Sequence, residues 1–156
     1  MQFLWVAVAA TITFNPLLSP ATAGWQGAVW GMTPEQVSAA VPGVRAVHRG
    51  ETLSNARKQG VRDSELYGVA LQASYFYSPE GLTFIRFNVP FRRCETVVGG
   101  LVAEHGQPAK VSEQAILRVI VWDDPESGNR LSLIHSASGI CDLRIRSTHD
   151  TDNGLD

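Results

Sequence analysis

The chain opens on an unbroken apolar run, Phe3 to Phe14, closed by Asn15-Pro16. A bilayer span takes about 20 residues in a helix; this run is shorter and matches the hydrophobic region of a secretory signal. Ala21-Thr22-Ala23 then places small residues at the −3 and −1 positions of a cleavage site. A signal peptide over residues 1–23 is expected, cut after Ala23, although no Lys or Arg precedes the run. The alternative is a buried N-terminal helix or strand.

After Ala23 the pattern changes. Gly24 to Gly31 carries Trp25 and Trp30 as anchors and reads as a short edge strand. Thr33, Pro34 and Gln36 form a T-x-x-Q capping box with proline at the first helical position. Met32 and Val37 are spaced for a hydrophobic staple, Ala40 and Val41 complete a short apolar face, and Pro42-Gly43 ends the helix. Residues 44–68 show no clear period; a strand near Val44–His48 is expected, then a long loop. Val69–Tyr77 and Leu82–Val89 are β-rich runs joined by Ser78-Pro79-Glu80-Gly81, a hairpin whose faces are both rather apolar.

Arg92–His105 reads as a second helix, with Cys94, Val98, Leu101 and His105 on one stripe widened by Val97 and Val102. Gly99-Gly100 in its middle costs about 1 kcal/mol per glycine relative to alanine, which points to close packing against a sheet. Gly106 and Pro108 end it. Three strands follow: Ala115–Trp122, Arg130–His135 and Ile140–Arg146. The last alternates, with Cys141, Leu143 and Ile145 facing one way and Asp142, Arg144 and Arg146 the other. The expected order is α-β-β-α-β-β-β: an α+β fold with an antiparallel sheet of about five strands and two helices packed on one face. One domain is expected over residues 24–146, with a polar, flexible tail over 147–156.

Composition changes this picture little. Apolar residues make up 44% of the 156-residue chain and charged residues 18%, an ordinary globular balance. The net charge of −2 lacks the basic excess on which nucleic-acid binding leans, so no nucleic-acid partner is expected. No transmembrane segment is expected after signal cleavage, and no oligomeric state can be read. The two cysteines matter more. In an exported chain an even count suggests a bridge, and Cys94 and Cys141 both lie on inward positions, where a disulfide would staple helix to sheet. Such a bridge is worth about 2–4 kcal/mol; the alternative is a pair of buried free thiols. The expected location is the periplasm or the external medium.

Candidate chemistry is sparse. His48, His105, His135 and His149 lack any ligand spacing, and Asp123-Asp124 before Pro125 reads as a turn opening. No serine sits in G-x-S-x-G, and no phosphate-binding or dinucleotide pattern occurs. No catalytic, cofactor or metal residue is therefore assigned. The basic residues between Arg45 and Arg62, with Arg92 and Arg93, form either a solvated segment or a docking surface for an acidic partner or an anionic envelope component. Trp25, Trp30, Tyr75 and Tyr77 are either core or interface anchors.

Trp30-Gly31-Met32-Thr33-Pro34-Glu35-Gln36-Val37 resembles the W-G-M-T-x-E-x-V helix opening of small exported bacterial proteins. These include β-lactamase inhibitor protein-like domains and BamE/SmpA/OmlA-like outer-membrane assembly proteins. Tyr75-Phe76-Tyr77, Gly81-Leu82, and Cys94 through Leu101, Gly106 and Pro108 are similar to later pieces of periplasmic relatives of that group. The resemblance implies binding rather than catalysis. The chain departs from the lipoproteins in having no cysteine after its leader, and from the inhibitor repeat in having one helix before each strand set. No binding residue carries over. The expectation is an exported, non-catalytic protein-binding module, inhibitor-like or an envelope-assembly accessory, whose partner is another envelope protein. The alternative is a periplasmic hydrolase or small-ligand-binding protein.

Overall fold

The computed structural model describes residues 23–149. The expected leader, apart from Ala23, and the tail from residue 150 lie outside the described residues. A two-strand ribbon comes first, β1 (Gly24–Trp25) and β2 (Ala28–Val29), followed by helix α1 (Pro34–Ala40). Then come β3 (Arg45–Ala46), β4 (Thr52–Leu53), β5 (Ala56–Leu66), β6 (Val69–Ser78) and β7 (Gly81–Asn88). A 3₁₀ turn over Phe91–Arg93 leads into helix α2 (Cys94–His105). The last strands are β8 (Lys110–Gln114), β9 (Leu117–Asp124), β10 (Asn129–Ser136) and β11 (Ile140–Ser147).

Nine of these strands form one antiparallel sheet, ordered β3-β5-β6-β7-β11-β10-β9-β8 with β4 paired on β5. The five-strand α+β expectation is thereby overturned: among the described residues the molecule is mostly β, with eleven strands in two sheets and two α-helices. The reason is physical. β5 was expected to be loop because it is built from Arg57, Lys58, Gln59, Arg62, Asp63, Ser64 and Glu65, with only Ala56, Gly60 and Leu66 buried. A bulge between Lys58 and Gly60 shifts its pairing with β6 and breaks the alternation that marks a strand. β8 reads Lys-Val-Ser-Glu-Gln and ends the sheet, where polar residues are the usual edge composition.

Local signals explain the elements that were expected. The Thr33 side chain accepts from Gln36 N at 3.3 Å, while Thr33 N donates to Gln36 Oε1 at 2.8 Å, completing the capping box. The W-G-M-T stretch ahead of it is tied to the sheet. Gly31 N donates to Leu82 O at 2.9 Å and Leu82 N to Met32 O at 2.8 Å. Trp30 Nε1 donates to Asn129 Oδ1 at 2.9 Å. Gly81, at φ +111°, lies so close to Gly31 that a Cβ would stand 2.2 Å from its carbonyl oxygen.

The core lies between one sheet face and the two helices. Tyr75, Ile85, Phe87, Leu143, Leu133 and Trp122 project from the strands toward Val37 and Val41 near α1 and Cys94, Val97 and Leu101 of α2. Cys94 and Cys141 are joined by a disulfide, with their Cα atoms 5.9 Å apart. The apolar character of both faces of the β6–β7 hairpin has a simple cause. Phe76 and Phe84 stack at 4.4 Å on the opposite face and, with Ala56 and Leu53, make a second, smaller core.

Asp142 belongs to that opposite face but is only 4% exposed. Arg86 Nε donates to its Oδ2 at 2.8 Å and an Arg144 NH2 group at 3.3 Å. Arg86 also reaches Glu51, which pairs with Lys58. A network of ion pairs thus covers the face that alternation alone would assign to solvent.

Candidate functional site

Two regions, at opposite ends of β9, carry the features of interest. The first is built on the β8–β9 hairpin. Gln114 pairs with Leu117, leaving Ala115 and Ile116 as a two-residue loop. Ala115 holds φ +45°, a left-handed conformation that disfavours a residue with a Cβ. This tight turn holds Ile116 out in solvent, 62% exposed, and Ala137 N fixes the tip by donating to Ile116 O at 3.0 Å. Leu117, Phe91 and Ile140 are exposed as well, as is Val111 on β8. Phe91, Ile116, Leu117, Arg118, His135 and Ala137 line a shallow cleft of about 330 Å³. The Phe91 and His135 rings lie 5.4 Å apart, and His135 Nδ1 is 3.6 Å from Glu95 Oε1.

The second region lies where α2 ends against the β5–β6 and β9–β10 turns. Its cleft, about 470 Å³, is lined by Trp25, Glu65, Tyr67, Glu104, His105 and Asp124 among others. Tyr67 occupies a positive-φ position (φ 52°) in the β5–β6 turn, followed by Gly68. Its ring lies directly over Gly100, where a Cβ would meet it at 2.1 Å. Of the glycine pair in α2, Gly100 is therefore the one that makes room, and a Cβ on Gly99 would meet nothing within 4 Å. The Tyr67 hydroxyl donates to Glu104 Oε2 at 2.5 Å. Burial, together with this carboxylate, pushes that hydroxyl well above the ordinary tyrosine range.

The His105 side chain is 9% exposed, with Nδ1 3.7 Å from Asp124 Oδ2 and Nε2 4.0 Å from Glu104 Oε2. Neither distance is a hydrogen bond, and Nε2 is buried without a hydrogen-bond partner, as is Trp25 Nε1. Asp124 is engaged elsewhere: the Ser127 hydroxyl donates to its Oδ2 at 2.7 Å and Ser127 N to its Oδ1 at 3.3 Å. The Ser127 hydroxyl chiefly holds the Asp124 carboxyl below the usual range, with desolvation opposing it.

A pH prediction follows from that bond. A depressed folded-state pKa adds stability above the unfolded value of about 3.9, and this is lost as pH falls through the folded value. Ser127→Ala is expected to cost about 1 kcal/mol at pH 7, discounted for partial exposure, and to cost progressively less on acidification. Urea melts of both proteins at pH 7 and pH 3 check this; a constant difference would contradict it.

The remaining residues singled out from the sequence are dispersed. His105 and His135 line different clefts, and His149 lines a third, of about 610 Å³, with Trp30, Ser54, Asn55 and Glu80. Tyr75 and Tyr77 are core, at 2% and 3% exposure, and Trp25 and Trp30 pack against it. The basic set is divided between β3–β5 and the turn before α2. Arg45 pairs with Asp63 at 3.0 Å and Lys58 with Glu51 at 3.1 Å, so two of its charges are met within the chain. Asp123 pairs with Arg130 at 2.6 Å. The grouping of Tyr67, Glu104, His105 and Asp124 was not anticipated; it joins a hairpin turn, a helix end and a second hairpin turn, and no local pattern announces it.

Among the described residues, no helix is long and apolar enough to cross a membrane. No family model matches the chain, and no curated protein matches it by sequence. Among solved structures, a DUF4309 family protein from Bacillus subtilis is similar at 12% identity, over 74% of this chain and 78% of that one, with a TM-score of 0.43. Likeness at that level is loose.

Proposed function

We propose that the chain is an exported, non-catalytic protein-binding module, inhibitor-like or an envelope-assembly accessory, that docks another envelope protein on the open end of its sheet. The observation that carries this is the exposed apolar group at the β8–β9 tip: Ile116, Leu117 and Phe91, which line one shallow cleft beside the terminal strand β8. Contiguous apolar surface that a chain leaves in solvent marks interaction sites, and a terminal strand presents backbone donors and acceptors to an added one. Export is supported by the leader pattern and by the Cys94–Cys141 bond, which belongs to oxidising compartments. The W-G-M-T opening and its likeness to exported binding proteins fit the same reading.

The hydrolase alternative would centre on His105 and Asp124. There the nearby serine hydroxyl donates to the carboxylate rather than to the imidazole. A serine nucleophile needs the reverse order, with the hydroxyl on the imidazole and the carboxylate behind it.

Ile116→Asp combined with Leu117→Asp is expected to weaken partner capture from crosslinked envelope extracts by about tenfold or more, because central apolar anchors dominate binding energy. The circular dichroism spectrum should be unchanged. Capture of the same partner by the variant and the parent would contradict the proposal.

A further inference from the structure

The two ends of the large sheet treat their unpaired backbone differently. At one end the outermost strands, β3 and β4, are two residues each and lie on the charged, bulged strand β5. Very short edge strands and bulges are the usual means of blunting an edge. At the other end β8 pairs with β9 over all five of its residues, with no shift of register and no proline. Among the described residues nothing pairs with its far side.

The register states which groups that edge offers. Gln114 and Leu117 flank a two-residue loop and so exchange both of their backbone bonds. Bonded pairs alternate along an antiparallel ladder. Ser112 and Lys110 therefore bond inward to β9, while Val111 and Glu113 turn their N–H and C=O groups outward. Val111 is 47% exposed and the Glu113 side chain 75%. An open strand edge is matched by another strand edge. β3, at two residues, gives no comparable edge for head-to-tail stacking, whereas β8 of a second copy does. Such self-pairing closes about a two-fold axis normal to the sheet. With the axis at Ser112, all five residues come into register: Val111 opposite Glu113 of the second copy, Lys110 opposite Gln114, and Ser112 opposite Ser112. The outward groups of Val111 and Glu113 then satisfy one another, and neither charged side chain faces its own kind. An axis at Glu113 would set two carboxylates directly opposite, which is destabilising. An axis at Val111 would leave Gln114 beyond the end of the copy's strand.

We infer that the chain forms a two-fold dimer by antiparallel pairing of β8 with β8 of a second copy, centred on Ser112, so that two nine-stranded sheets become one. This goes beyond the docking reading, because it uses the backbone edge of β8 and not the side chains of Ile116, Leu117 and Phe91. A contact of one strand pair is small, so the dimer forms and dissociates with concentration.

The test is sedimentation equilibrium of the full exported chain across the micromolar range, where a monomer–dimer equilibrium is expected. Val111→Pro removes an outward N–H and leaves the ladder to β9 intact. It should weaken the dimer about tenfold or more, with its melting curve as a check on folding. Ser112→Cys reads the register. Residues facing each other in a non-hydrogen-bonded pair have Cα atoms about 4.5 Å apart, within reach of a disulfide. Oxidised glutathione should therefore convert this variant to a covalent dimer. In Lys110→Cys the two thiols would start from Cα atoms about 14 Å apart along the strands, and the variant should not crosslink. A chain that stays monomeric throughout the range would overturn the inference. So would equal crosslinking of the two cysteine variants, or a Val111→Pro dimer as tight as the parent's. Ile116→Asp with Leu117→Asp, which tests docking, should leave the dimer unchanged, so the two proposals fail separately. A dimer lost in that variant would place the contact at the tip and overturn pairing through β8.

Discussion

Asp142→Ala is expected to destabilise the protein by about 3 kcal/mol, lowering its melting temperature by roughly 10 °C. Asp142 is 4% exposed and takes bonds from Arg86 and Arg144, whose side chains are themselves only 20% and 17% exposed. Removing it strands two guanidinium groups beneath the surface, with Glu51 left to compensate for one of them. A buried charge without its partner costs more than the pair contributes. The double variant Asp142→Ala with Arg86→Met should therefore lose less than the two single losses summed. Equilibrium denaturation of the four proteins measures this coupling. Strict additivity would show that the contact carries no interaction energy.

The second large effect concerns the disulfide. Cys94 and Cys141 are 47 residues apart in sequence, and closing a loop of that length lowers the entropy of the unfolded chain by the equivalent of about 4 kcal/mol. Both sulfurs lie in the core, at 1% and 5% residue exposure, and tie the start of α2 to β11. Cys94→Ala with Cys141→Ala is expected to lose about that amount, and reduction in denaturant should give the same loss. If the double variant and the parent unfolded at the same denaturant concentration, the stapling role would be disproved. If reduction left the intact mass unchanged, the bond itself would be.

What the sequence disclosed was local. Thr33, Pro34 and Gln36 announce α1 because a cap is chemistry between neighbours, and the bonds they make are those their spacing implies. The β6–β7 hairpin and β11 announce themselves through β-rich runs and a turn that a few residues determine. β5 did not, since its charges are satisfied along an edge region and its bulge breaks the alternation. The same limit applies to sites. Asp142 alternates as a solvent residue and is buried because β4 and β5 bring Glu51 and Lys58 to the surface that Arg86 covers. The need for glycine at position 100 depends on Tyr67, more than thirty positions earlier in the chain. His105 fell on the predicted inner stripe of α2, but nothing near it in sequence indicates that Asp124 and Glu104 would flank its two nitrogens. Likewise, Ile116 belongs to a run that reads as strand, Ala115–Trp122, whereas the strand starts at Leu117 and the turn at Ala115 places Ile116 outside.

The claim that the β8–β9 tip is a docking surface is tested most directly by site-specific photocrosslinking. A benzophenone amino acid placed at Ile116, in cells that export the protein, should trap one discrete envelope protein. The same probe at Asp63, exposed on β5, should trap none. A crosslink at Ile116 that is absent at Asp63 is the predicted result; identical patterns at both positions, or no adduct at Ile116, would contradict it.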